Sequence, residues 1–447
     1  MQRKTVERAV LSTALLARLA VFYLAANGFF LVGEGMVQAN LAENILSGRG
    51  FMLSETMLHD SDPRRDAALE FFRETGGFYG ALIPERPTSF LVPGYALFEA
   101  FIFMVTSPGN LLAVISVQLA LGVLTVYLGM RFASRFLRGR WYTAAGVLMA
   151  LDPFELYYQA IPATQALFSL LFVSGLLLSV RFLEKPGSLR GIAAGLSWGV
   201  TFMVRPAALP MVIWLSAVFL FSGGFSAKKL VTAGFTLLVF FASLTPWMLR
   251  NKNTMGRYQL LPLQGGVQLW EYNGRMFTDY FEGEQEGARL LYGPVRETWV
   301  SRLNQPHLAE FPEFSHHGEF ERDSILTHRQ SRFLMANPGL YLHLCACRFA
   351  EFFKPFPLNE FSFAHTFLGL LSFFWVGAFF GAGTLLLIRK GPIGVFLAGV
   401  ISGYILMHLM TASGTPHRVA LDIPLFIASL VGLKYAVERL RSGKTSK

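Results

Sequence analysis

Charge is scarce in this chain. Only 15% of its 447 residues are Asp, Glu, Lys or Arg, against about 25% in soluble domains. With 53% hydrophobic residues, 14% aromatic residues and a mean hydropathy of +0.43, that shortage excludes a large soluble core. Cysteine is nearly absent as well. Cys345 and Cys347 are too close in sequence to close a useful loop and have no metal-ligand company, so they read as packing residues. No H-E-x-x-H, C-x-x-C or G-x-x-x-x-G-K occurs, and zinc or Walker-type chemistry finds no support. Repeats, coiled-coil heptads and low-complexity tracts are missing too, which argues against a transporter built from matched halves.

What is present is a succession of apolar stretches of about 20 residues, the thickness of a bilayer core. They are continuous runs without dyad alternation, hence helices rather than barrel strands. The expected fold is all-α, a polytopic helical membrane protein of about 10–12 transmembrane helices with external amphipathic helices. Spans are expected near 8–33, 89–107, 110–131, 141–161, 164–183, 191–204, 206–222, 230–248, 366–388, 392–411 and 418–436. Three regions follow: an N-terminal transmembrane module over 1–249 with its first external loop at 34–88, an external polar region with an interfacial helix over 250–365, and C-terminal helices over 366–447. The net charge of +10 sits in short loops such as Arg181–Arg190, Lys228-Lys229 and Arg389-Lys390, where cytoplasmic anchors belong. It therefore implies a membrane partner and no nucleic acid. The apolar run after MQRKTVERAV is too long for a signal-peptide core and reads as a retained first span.

Orientation from these basic loops places residues 34–88, 250–340 and 412–418 outside and the C-terminus inside. One conflict arises. The basic loop RFASRFLRGR (131–140) belongs inside, yet two apolar segments separate it from the external loop, where an odd number of crossings is needed.

The external segments carry the candidate chemistry. GEGMVQANLAENILSGRGF (33–51) puts Glu34 at the exit of the first span. Val37, Leu41, Ala42, Ile45 and Leu46 then fall on one stripe of an interfacial helix that Gly48-Arg49-Gly50 stops. RPTSFLVPGYALFEAF (86–101) offers Arg86 at the interface, and LDPFELYYQAIPATQALF (151–168) carries Asp152, Glu155 and Gln165 between apolar stretches in a bent re-entry. TPWMLRN ends a span at Arg250, the stretch from Gly256 alternates like extended chain with a turn at Gly265-Gly266, and SGTPHRVALDIPLF puts His417 and Arg418 at the mouth of the last span. Asp66 is positioned to cap a short helix in the first loop, and Pro338 to begin an interfacial helix. His316-His317 and HDSDPRRD (59–66) read as solvent-facing loop residues. Three arginines facing a carboxylate on one surface suggest a site that handles phosphate or pyrophosphate.

These stretches, in order, resemble the bacterial glycosyltransferase family 39-like proteins, relatives of dolichyl-phosphate-mannose protein mannosyltransferases and of the lipid A aminoarabinose transferase within the GT-C superfold. The likeness rests on the acid followed by A-x-N-L-x-x-G-x-G-F, on P-T-x-x-x-x-P-G-Y, on P-W-x-x-R-N with its following G-G-x-x-L-W-x-x-N, on the late N-P helix and on the final arginine-bearing span. The resemblance implies a glycosyltransferase moving a sugar from a polyprenyl-phosphate donor to a glycan, lipid or protein acceptor at the outer face of a bacterial inner membrane. It implies Glu34 as the catalytic base and Arg86, Tyr95, Gln165, Arg250, His417 and Arg418 as substrate and phosphate contacts. Stereochemical outcome stays open. No cofactor is required by the pattern, and a divalent metal ion assists some members. Here Glu34 stands where Asp is common, Gln38 where Tyr is frequent, and Gln165 where an acid is usual. A non-catalytic lipid-linked glycan binder or flippase is the alternative.

Overall fold

The computed structural model describes residues 2–26, 34–54, 85–273, 317–353, 379–412 and 414–442. The Asp66 cap, the HDSDPRRD loop, His316 and the first part of the 366–388 span lie outside these residues, as does the side chain of Glu34.

Helix is the only regular structure among the described residues apart from one antiparallel bridge between Met52 and Pro87. The elements are α1 Gln2–Ala26, α2 Glu34–Leu46, α3 Gly94–Val105, α4 Leu111–Ala133, α5 Arg140–Ala150, α6 Pro153–Gln159, α7 Thr164–Glu184 and α8 Ser188–Val204. They continue with α9 Leu209–Phe221, α10 Ala227–Met255, α11 Gly265–Tyr272, α12 Glu319–Ala336, α13 Pro338–Phe352, α14 Phe379–Ile388, α15 Gly391–Met410 and α16 Thr415–Ser442. Six of the described helices (α1, α4, α7, α10, α15 and α16) are long and apolar enough to cross a bilayer. The shorter α5, α8 and α9 pack among them, and one core of aromatic and aliphatic side chains runs through the bundle around Phe172, Trp198, Phe240 and Tyr404.

The conflict over crossings resolves at α3. Its 12 residues rise only about 18 Å at 1.5 Å each, short of the roughly 30 Å hydrocarbon core. One face of α3 joins α2 through Ala39, Ala42, Ala100, Ile102 and Phe103. The other exposes Phe101, Met104 and Val105, each more than 60% accessible, as a helix lying in the interface would. If α3 lies in the interface, α4 is the one crossing before the basic loop, and the described residues 34–54 and 85–93 are expected on the opposite face from it.

The span expected at 141–161 is broken. Asp152 accepts a hydrogen bond from the Phe154 amide at 3.1 Å and Pro153 takes the first helical position, so α5 ends and α6 starts anew. Gly265-Gly266 begins α11 instead of making a turn, because the Asp323 carboxylate of α12 accepts the Gly266 amide at 2.6 Å and caps the helix start. Pro338 opens α13 as expected. Cys347 is buried there, and burial pushes its thiol up to about 11, in keeping with a packing role.

Candidate functional site

Glu34 is the first residue of α2, and the position of that helix is set by its second. A Cβ on Gly35 would overlap the Pro162 carbonyl, so only glycine lets the start of α2 rest on the turn between α6 and α7. That contact brings the exit of the first span to the segment carrying Asp152, Glu155 and Gln165. One turn on from Glu34, Gln38 is buried.

The turn is rich in buried polar groups. Glu155 accepts from Gln159 Nε2 at 2.6 Å. Gln118 of α4 donates to the carbonyls of Gln159 at 3.3 Å and Ile161 at 2.7 Å, and accepts from the Tyr95 hydroxyl at 2.6 Å. Tyr95 is thus wholly buried and holds the turn through Gln118. Arg18 of α1, 2% exposed, donates to the carbonyls of Ala14 and Ala150 and stands within electrostatic reach of Glu155 and Asp152. Space here is tight: a Cβ on Gly122 would meet both Gln159 and Arg18. Gln38 Oε1, Glu155 Oε1 and Gln165 Oε1 are buried and accept no hydrogen bond, and the Ser169 hydroxyl, one turn after Gln165, faces Glu155 without closing one. Buried polar atoms are normally satisfied, so this concentration beside the start of α2 marks the turn as a candidate site.

The last helix clamps the same turn from its other side. Arg418, 1% exposed, pairs with Asp422 at 2.9 Å, donates to the Phe352 carbonyl at 3.3 Å and lies 3.8 Å from the Phe154 ring centre. His417 stacks on His408 with ring centres 4.7 Å apart, and its carbonyl accepts from Tyr404. Arg205, where α8 gives way to α9, bonds Thr164 at 2.8 Å and the Pro416 carbonyl at 3.0 Å, tying the starts of α7 and α16 together.

Arg250 lies elsewhere. Its guanidinium donates to the carbonyls of Thr88 and Phe51, both at 2.6 Å, and to Asn251, and lies against the rings of Phe51 and Trp247, which pack edge to face. It holds the 51–53 and 86–91 segments against the end of α10. Arg86 is exposed on the rim of a separate cleft formed with Arg257 and the start of α12. Of the residues singled out in the sequence, then, the structure gathers Glu34 (by its backbone), Tyr95, Gln165 and Arg418 around one turn, sets His417 just behind Arg418, and leaves Arg86 and Arg250 apart. Arg18, Gln118, Arg205 and Asp422 were not anticipated. An arginine inside the first apolar run is a signal in itself, since charge at membrane depth needs a partner.

A divalent ion, which the resemblance allows, would meet Asp152 and Glu155 here, with Asp422 beside Asp152. Arg18 and Arg418 already stand against them, and no three metal-ligating side chains converge among the described residues. The described residues therefore do not make a metal site by themselves.

No family model matches the chain, and no curated protein matches it. Its fold does match solved structures. The Archaeoglobus fulgidus oligosaccharyltransferase in its apo form superposes with a TM-score of 0.54 at 15% identity, covering 98% of this chain and 51% of that one. The same enzyme tethered to an acceptor peptide gives 0.54 at 14% identity over 99% of this chain and 51% of that one. ArnT from Cupriavidus metallidurans, bound to undecaprenyl phosphate, reaches only 0.39 at 10% identity over 94% of this chain and 77% of that one, and at that score says nothing further about this protein. The chain spans about half the length of the oligosaccharyltransferase it matches. Across nearly all its residues the chain shares the helical fold of the half of that oligosaccharyltransferase it covers.

Proposed function

We propose that the protein is an integral-membrane glycosyltransferase that moves a sugar from a polyprenyl-phosphate donor to an acceptor at the outer face of the membrane, with Glu34 as the base. The observation that carries this reading is the seat of α2. Gly35 locks the first turn of that helix, and with it Glu34, onto the Pro162 turn, beside buried groups whose free acceptor atoms suit the hydroxyls of a sugar.

In this reading Glu34 takes the proton of the acceptor hydroxyl as that oxygen bonds to the anomeric carbon. The bond from the anomeric carbon to the phosphate oxygen breaks, and polyprenyl phosphate leaves with the electron pair. A partly buried carboxylate suits such a proton transfer, and holding both partners at one turn lowers the entropic barrier. Positive charge near the leaving phosphate would stabilise the transition state. Arg86, which the resemblance assigned to such a contact, lines a separate cleft instead.

The alternative, a lipid-linked glycan binder or flippase working through Arg86, Arg250 and Arg418, has less support, because the last two guanidiniums spend donors on backbone carbonyls or on Asp422. The test uses cells lacking the protein, complemented with wild type or Glu34→Gln at equal membrane levels, and mass spectrometry of their membrane lipids. A prenyl-linked sugar that builds up in the null and in Glu34→Gln, but not with wild type, is the expected result. A wild-type lipid profile in Glu34→Gln would remove Glu34 from the mechanism.

A further inference from the structure

A second polar cavity lies away from the Pro162 turn. It has a volume of about 360 Å³ and is open on one side, between the 86–89 segment, the end of α10 and the start of α12. The 86–91 stretch divides the two places. Phe90 and Leu91 pack inward with Val37 and Leu41 of α2, while Arg86 and Ser89 line the cavity.

Its chemistry is mixed in a particular way. Arg86 and Arg257 line it together with Glu319 and Glu321, two charges of each sign, while Arg250 and Arg322 also stand within electrostatic reach of Glu319. Phe320, 39% exposed, presents a ring at the mouth, and the Arg257 guanidinium stands 4.2 Å from its centre. Ser89 is fully buried in the wall, its amide donating to Glu319 at 3.2 Å while its hydroxyl has no hydrogen-bond partner. A phosphate would meet two carboxylates, and an ammonium group two guanidiniums. A neutral ligand dense in hydroxyls meets none of these penalties. Guanidinium donors and carboxylate acceptors both bond hydroxyls, Phe320 adds an aromatic surface next to Arg257, and the volume falls in the range of small-molecule sites.

We propose that this cavity binds a neutral saccharide, as an exosite that holds a glycan acceptor apart from the reacting centre. The proposal rests on the transferase reading for the word acceptor, but saccharide binding itself can be measured without any transfer. Purified full-length protein in detergent would be titrated with neutral trisaccharides of glucose, mannose and N-acetylglucosamine, read by saturation-transfer NMR. Wild type and Glu34→Gln should bind at least one of them alike, whereas Phe320→Ala and Arg86→Gln should each weaken it about tenfold or more, as loss of a stacking or paired contact does. Phe320 and Arg86 are both exposed, so neither change removes core packing. Failure of all three sugars to bind wild type would overturn the proposal, as would binding that both variants leave intact, or displacement of the sugar by vesicles of anionic lipid. If Glu34→Gln turned over donor normally while still binding sugar, the transferase mechanism would fall and the saccharide site would stand.

Discussion

Arg18 is the side chain whose loss the bundle should feel most. It is buried in the first apolar helix, with two carbonyls and two carboxylates around it. Removing one partner of a buried charged cluster costs about 3–5 kcal/mol, because the remaining charge is left uncompensated. Arg18→Met should therefore lower the unfolding midpoint in detergent sharply, and adding Glu155→Met should recover part of the loss; no recovery would mean that the two charges are uncoupled. Arg250 allows a sharper contrast. Lysine keeps the charge but cannot bridge the Phe51 and Thr88 carbonyls with a planar fork. Arg250→Lys should lose roughly 1–3 kcal/mol of stability, whereas a residue serving only to hold phosphate would lose activity with its melting point unchanged. The sequence marked Glu155 and Gln165 as polar groups set between apolar stretches, and both are buried in the bundle. It could not show that Arg250 and Arg418 spend donors on their own fold, since the carbonyls of Thr88, Phe51 and Phe352 carry no side-chain signature and lie far along the chain.

Among the elements, α2 depends on a single missing methyl. Gly35→Ala forces either the helix or the Pro162 turn to move, and the displaced atom is backbone rather than a flexible tip. Misplacement by about 1 Å can cost 100-fold in rate. Gly35→Ala should thus depress transfer by at least tenfold while the protein still reaches the membrane, as judged by activity normalised to protein level; undiminished transfer would uncouple the seat of α2 from function. Helix existence was legible from apolar run length, and α2 and α13 as helices from stripe and proline, but the stripe did not foretell that Gln38, Asn40 and Asn44 on the other side of α2 are buried as well. Two further things were not legible. α3 has a span's composition but not its length, and a break of the α5–α6 kind depends on a cap that only the backbone reveals. The start of α11 misled for another reason. Two glycines usually mark a turn, but Gly266 is there for close approach, since any Cβ would collide with the Asp323 carbonyl.

At the scale of the whole molecule, sidedness is the testable property. In a background carrying Cys345→Ala and Cys347→Ala, single cysteines at Glu85, Ser107 and Arg138, all exposed positions, should divide two against one. A membrane-impermeant maleimide should label the first two from the same side and the third only after permeabilisation. Labelling of positions 85 and 107 from opposite sides would make α3 a true crossing. The grip on the Pro162 turn also bears on how the protein is made. The turn is held by residue 35 near one end of the chain and by Phe154 stacked on Arg418 near the other. A nascent chain will have threaded most of its helices into the bilayer before the second half of that clasp leaves the ribosome. Until then the start of α6 lacks the guanidinium that covers its Phe154 ring.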